Sequence, residues 1–169
     1  MTTRTESVDT PAGEARVTWH PATGGAARLV LAVSHGAGGG IEARDLRALA
    51  AALPARGVTV ALVEQPWRVA GKKVAAAPKV LDEGWRGLWP ALTRPGLPVV
   101  AGGRSAGARV ACRTAAGLDA AGVLALSFPL HPPGARGKIP APARRGAPGA
   151  APGGARGGGA RGAPPPRAT

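Results

Sequence analysis

The chain has no tyrosine, one phenylalanine, one methionine and one cysteine in 169 residues. With aromatics this scarce, a core must be built from alanine, valine, leucine and the four tryptophans. The lone Cys112 excludes an intrachain disulfide framework and fits a reducing compartment. No run approaches the roughly 18 consecutive apolar residues of a membrane span. The N-terminus MTTRTESVDTPAGEAR is polar and has no apolar signal core, so a cytoplasmic chain without membrane association is expected. Acids are few as well, nine against 22 Lys and Arg, for a net charge of +13. Such an excess invites a nucleic-acid partner. Its distribution argues against one. Residues 134–169 carry seven Lys/Arg and no acid, which leaves 15 basic against 9 acidic residues, or +6, on residues 1–133.

What is present is a regular alternation of strand and helix signals. EARVTW (14–19) alternates and reads as a short edge strand after a flexible N-terminus, residues 1–13. RLVLAVS (28–34), VTVALV (58–63) and PVVAG (98–102) are apolar runs, as expected of strands covered on both faces, and GVLALSF (122–128) reads as a fourth strand. Between them, residues 42–56 place Leu46, Leu49 and Leu53 on one helical stripe, with Pro54 distorting the end. Residues 64–78 read as a long connection. Residues 79–93 space Leu81, Trp85, Leu88 and Leu92 as one helix face, and a small-faced helix follows Ser105. Alternation of this kind predicts an α/β domain over residues 14–133, with a doubly wound, mainly parallel sheet.

The chemistry-bearing pattern is Gly103-Arg104-Ser105-Ala106-Gly107, a Gly-x-Ser-x-Gly between a buried strand and a helix. A nucleophile elbow needs this layout. The serine stands on a strained strand-to-helix turn, and small neighbours let the backbones approach. The N–H of Ala106, at the helix start, can face a developing oxyanion. A second loop, Ser34-His35-Gly36-Ala37-Gly38-Gly39-Gly40, also follows a buried strand and precedes a helix. It can supply the other oxyanion donor, assigned here to the N–H of Ala37, with Gly36 and Gly38 as its loop glycines.

Three stretches, His35–Gly39, Gly103–Arg109 and Phe128-Pro129-Leu130-His131-Pro132-Pro133-Gly134, resemble the α/β-hydrolase-like family. The similar branch includes the testis-expressed hydrolase-like proteins, the third subunit of the NSL histone-acetyltransferase complex and bacterial dienelactone-hydrolase relatives. The resemblance covers about residues 14–134 and is most specific in PLHPPG. It implies Ser105 as nucleophile, Ala37 and Ala106 as oxyanion donors, a small acyl substrate and no cofactor or metal. Family members continue with two further strands that carry an acid and then a histidine, and here this chain departs from the pattern. After Ser105 the only acid is Asp119 and the only histidine is His131. Asp119 precedes the last strand, so it lies roughly 20 Å from the catalytic edge. His131 follows that strand and is the candidate base, against a plainer role as a loop residue shaping the pocket. His35 reads as a loop-fixing residue and His20 as a surface one.

Other readings fare worse. GAGGGI after a strand, with Glu64 ending the next, hints at a dinucleotide site, but Ile41 stands where that fingerprint needs glycine. AGKKV lacks the Ser or Thr of a phosphate loop, and Lys72 and Lys73 fit a surface or an anion-attracting mouth. Arg109 reads as structural. Trp67, Trp85 and Trp89 read as core or pocket wall and are not spaced for stacking bases. In residues 134–169, Gly, Ala, Pro and Arg fill 33 of 36 positions, so a disordered tail is expected. The abrupt switch to residues with GC-rich codons is read as a shifted reading frame, which the other frames of the DNA can test. The alternative function is a non-catalytic interaction protein whose basic tail binds nucleic acid. The last strand, left as an apolar edge, is expected to promote self-association.

Overall fold

The computed structural model describes residues 2–130. His131 and the expected tail, residues 134–169, lie outside the described residues. The described elements are β1 (Arg4–Thr10), β2 (Gly13–His20), β3 (Leu29–Ser34), α1 (Arg44–Ala52), β4 (Val58–Glu64), α2 (Pro66–Val69), α3 (Pro78–Thr93), β5 (Val99–Arg104), α4 (Ala106–Thr114) and β6 (Gly122–Leu126). They build one six-stranded sheet in the order β1-β2-β4-β3-β5-β6. Strands β4, β3, β5 and β6 run parallel, and β2 and β1 add antiparallel to one side. The expected doubly wound, mainly parallel architecture is therefore the observed one.

Two-sided burial explains the apolar runs of β3 and β4, whereas β6 alternates half-buried and exposed positions. In β3, Val30 and Ala32 face the core shared with α3 and α4, while Leu31 and Val33 face α1. In β4, Ala61 and Val63 take the first side and Val60 and Leu62 the second. Side chains alternate across a strand, so helices on both faces demand apolar residues at every position. Trp67, Trp85 and Trp89 all join the α3 side, where the tryptophans supply the bulk that the other aromatics do not. The Trp85 indole N–H is buried without a hydrogen-bond partner among the described residues.

Three expectations are corrected. EARVTW is not an edge strand, because β1 pairs along its whole length from Arg4↔Trp19 to Thr10↔Gly13. For the same reason residues 4–10 are an ordered strand and not part of a flexible N-terminus. RTESVDT has one apolar residue, Val8, so it lacks the alternation that marks a strand in sequence. Its ladder with β2 holds it, Val8 packs on the core, and Glu6 adds a polar anchor. Burial pushes the Glu6 carboxyl up, but hydrogen bonds from Trp19 (2.9 Å) and Arg94 (3.1 Å) outweigh that and hold it below the usual range. Helix α1 is also shorter than expected. It ends at Ala52, and Pro54–Arg56 forms a separate single turn, since proline has no N–H to continue the ladder. The connection 64–78 contains the short helix α2, started by Pro66 at its first position.

Candidate active site

Parallel pairing of β3 with β5 aligns Ser34 with Gly103, so the two glycine-bearing loops leave the same edge of the sheet side by side. Ser105 is the residue between β5 and α4, with φ 53° and ψ −107°. A positive φ is costly for a residue with a Cβ and persists only where its surroundings enforce it. Here the surroundings are tight. A Cβ on Gly103 would come within 2.7 Å of the Gly107 carbonyl oxygen, and one on Gly107 within 2.8 Å of the His35 carbonyl oxygen. The Ser105 N–H donates to the Leu126 carbonyl of β6 at 2.9 Å. The side chain makes no capping hydrogen bond to α4, the usual use of a serine in this position, so its hydroxyl is not spent on the helix.

Gly36 lies against this serine. A Cβ built on it would stand 3.1 Å from Ser105 Cβ and 3.3 Å from the Arg104 carbonyl oxygen. The next residues, Ala37 and Gly38, form an exposed turn. Gly38 has nothing within 4 Å of a Cβ position, so its sterics differ from those of Gly36. Ala106 begins α4, where a first-turn N–H has no helical acceptor. The structure thus gathers Gly36, Gly103, Ser105, Ala106 and Gly107 at one point and brings Ala37 next to it. Asp119 lies at the opposite edge, beside Pro98 and Val99 at the start of β5. His20 ends β2, away from β5.

His35 is fully buried and fixes its loop. Its Nδ1 meets the Gly36 carbonyl at 2.9 Å, and its Nε2 accepts the Gln65 N–H at 3.1 Å. Burial pushes this imidazole below its ordinary range, which keeps it neutral. Arg104, the variable residue before the serine, is tied to Asp45 in the first turn of α1 at 3.0 Å. Arg109 donates to the Pro129 carbonyl at 3.0 Å and so holds the segment after β6. Trp67 forms an edge contact with His35 and, with Pro66, Leu81 and exposed Lys72, lines a hollow of about 170 Å³ behind α2. Sequence reading missed Gln65, Ser34 and Asp45. The one available signal was Gln65 itself, an amide placed directly after a buried strand.

A mainly parallel sheet covered by helices on both faces, with a serine on the turn from its central region into a helix, defines an α/β fold of the hydrolase class. Residues 25–143 match the family described as the alpha/beta hydrolase domain, and the chain belongs to that family. Among solved structures it is similar to an α/β serine hydrolase without lid from Xanthomonas campestris, at 22% identity and TM-score 0.64, over 76% of this chain and 62% of that one. An α/β serine hydrolase homologue from Coxiella burnetii gives 16% identity and TM-score 0.65, over 76% and 64%. A dienelactone hydrolase from Anabaena variabilis gives 20% and 0.60, over 73% and 62%. The chain covers less than two thirds of the length of each of these structures. No curated protein matches it. No helix among the described residues is long and apolar enough to cross a membrane.

Proposed function

We propose that the chain is a serine-type acyl hydrolase scaffold acting on esters, thioesters or lactones, of the branch that includes the testis-expressed hydrolase-like proteins and dienelactone-hydrolase relatives. The observation that carries this reading is the enforced positive φ of Ser105, with no cap bond from its hydroxyl to α4 and the Gly36 backbone packed against it. In the reaction, Ser105 Oγ attacks the acyl carbonyl and its proton passes to a base. The N–H groups of Ala37 and Ala106 receive the oxyanion. The alcohol or thiol then leaves with a proton, and water releases the acid. His131, the only histidine after Ser105, is the candidate base. Asp119 is the only acid after Ser105 and lies at the wrong edge, so no carboxylate from this stretch orients that base, and turnover is expected to be slow.

A fluorophosphonate probe tests the reading without a known substrate. Covalent labelling that disappears in Ser105→Ala, with folding retained, is the expected result. A well-folded parent chain that takes no label sinks it. The competing reading, a non-catalytic interaction protein with a basic arm, is supported by the seven Lys/Arg in residues 134–169. Salt-sensitive RNA binding lost on deleting that segment would favour it. For a protein partner, a second copy at the β6 edge is the occupant we expect.

A further inference from the structure

The carboxyl edge of the sheet holds a buried polar cluster to which acyl transfer assigns no step. Ser34, His35 and Gln65 are 0%, 0% and 4% exposed. Buried polar groups destabilise a fold unless they are paired. These are paired with one another across β3 and β4. Gln65 Nε2 donates to Ser34 Oγ at 3.2 Å and to the His35 carbonyl at 3.4 Å, while Gln65 Oε1 accepts the Trp67 indole N–H at 3.3 Å. The Gly36 carbonyl can only accept and the Gln65 backbone N–H can only donate, so the imidazole between them carries its proton on Nδ1. The other side of this same backbone meets the serine turn. The Ser34 and His35 carbonyls crowd Gly107, and Gly36 crowds Ser105.

We propose that Gln65 is a positioning residue: by gripping Ser34, the His35 carbonyl and Trp67 at once, it fixes the start of the Gly36–Gly40 loop against Ser105 and so sets the Ala37 N–H. Its functional half rests on the reading of Ser105 as nucleophile. The residue type is specific. The cluster needs a donor for the His35 carbonyl and an acceptor for the Trp67 indole from one side chain. A neutral amide offers both, a carboxylate offers only the acceptor, and an asparagine is one methylene too short to span them. The charged groups around the cluster are Glu64 at the end of β4, Arg68 in α2 and Glu42 before α1. Among the described residues, the side chains of Glu64 and Arg68 hydrogen-bond or ion-pair elsewhere, with Arg16 and Glu42 respectively.

The test uses the full chain and two readouts, backbone hydrogen exchange at the buried amides of Gly36, Gly40 and Gln65, which report on the loop and its anchor, and the rate of fluorophosphonate labelling. In Gln65→Ala, the loop amides should exchange about tenfold faster while amides of β2 and α3 keep their protection, and labelling should slow about tenfold or more, as for loss of one oxyanion donor. Gln65→Glu keeps the shape and guards against a variant that fails to fold. At neutral pH it should behave like Gln65→Ala. As pH falls and the buried carboxyl takes up a proton, it regains a donor, so its loop protection and labelling rise relative to the parent at the same pH. A role in packing alone gives no such recovery. Loop exchange and labelling within about twofold of the parent in Gln65→Ala, or a pH-independent ratio in Gln65→Glu, overturns the proposal. If the parent takes no label yet the loop exchange changes as stated, positioning stands and the nucleophile reading falls. Labelled parent with an unaffected loop gives the reverse.

Discussion

The two flanks of Ser105 are built differently. Toward β3 and β4, its neighbours are buried, and the polar ones are paired: Ser34, His35 and Gln65 form a closed hydrogen-bond cluster. Toward β6, the parallel ladder from Val100↔Gly122 to Arg104↔Leu126, the Ser105 N–H bond to Leu126 and the grip of Arg109 on Pro129 attach the turn, and no strand lies beyond β6 among the described residues. Val123 is 44% exposed, Phe128 41% and Leu130 82%. A serine in a strained conformation needs a rigid support; the first flank supplies it through a buried side-chain cluster and the second through a backbone ladder. Among the described residues, one flank is closed by paired polar side chains and the other mainly by backbone pairing.

Glycine-to-alanine changes on the two flanks break this comparison most sharply. A methyl at Gly107 meets the Ser34 and His35 backbone, which cannot move without disturbing the cluster beneath. Gly107→Ala should cost about 3 kcal/mol, the upper range for overpacking a tight site. A methyl at Gly122, in β6, would find Val100 at an ordinary 3.9 Å. Gly122→Ala should be neutral or stabilise by about 0.5 kcal/mol, because alanine restricts the unfolded chain. Urea denaturation of both variants checks this, and equal losses would show that the flanks are equally tight.

Acid should weaken the closed flank next. The folded pKa of His35 is lowered from 6.5 by burial, so as pH falls through that value the unfolded chain takes up a proton first. Its contribution is fully present above the ordinary histidine range and is lost progressively as pH drops toward the lowered folded value. His20 is lowered by burial as well, and contributes in the same direction. Denaturation midpoints should therefore fall between pH 7.5 and 5.5, and the fall should shrink in His35→Gln. An unchanged slope in that variant would assign the effect to His20 alone.

Much of this was legible in the sequence, and the exceptions share a cause. The buried strands β3, β4 and β5, the stripe of α3 and the turn at Ser105 all announced themselves through apolar runs, periodicity and glycine spacing. Strand β1 did not, because its one apolar residue gives no alternation, and neither its ladder to β2 nor the pairing of Glu6 with Trp19 and Arg94 shows in its own composition. Gln65 was passed over for the same reason. Its place directly after a buried strand is the one local signal, and that place does not say which partners the amide reaches. Gly36 and Gly38 look equivalent in the motif, yet only Gly36 touches the serine.

The smallest expected effect on the fold comes from the open flank and bears on association. Residues 120–130 carry no charged side chain, whereas the chain as a whole carries +13. Two copies therefore meet least repulsion along β6, whose outer N–H and C=O groups have no partner strand among the described residues. Antiparallel pairing about a two-fold axis through Leu124 would set Val123 of each copy near Ala125 of the other and keep both apolar faces continuous. Val123 is exposed, so Val123→Lys should change monomer stability by less than about 0.5 kcal/mol. Two lysines brought to the same junction should nevertheless oppose the paired state. Sedimentation over a range of concentrations should show association in the parent and a shift toward monomer in Val123→Lys, stronger at low salt. A parent that stays monomeric throughout would mean that charge elsewhere on the chain, and not the apolar edge, decides how two copies meet.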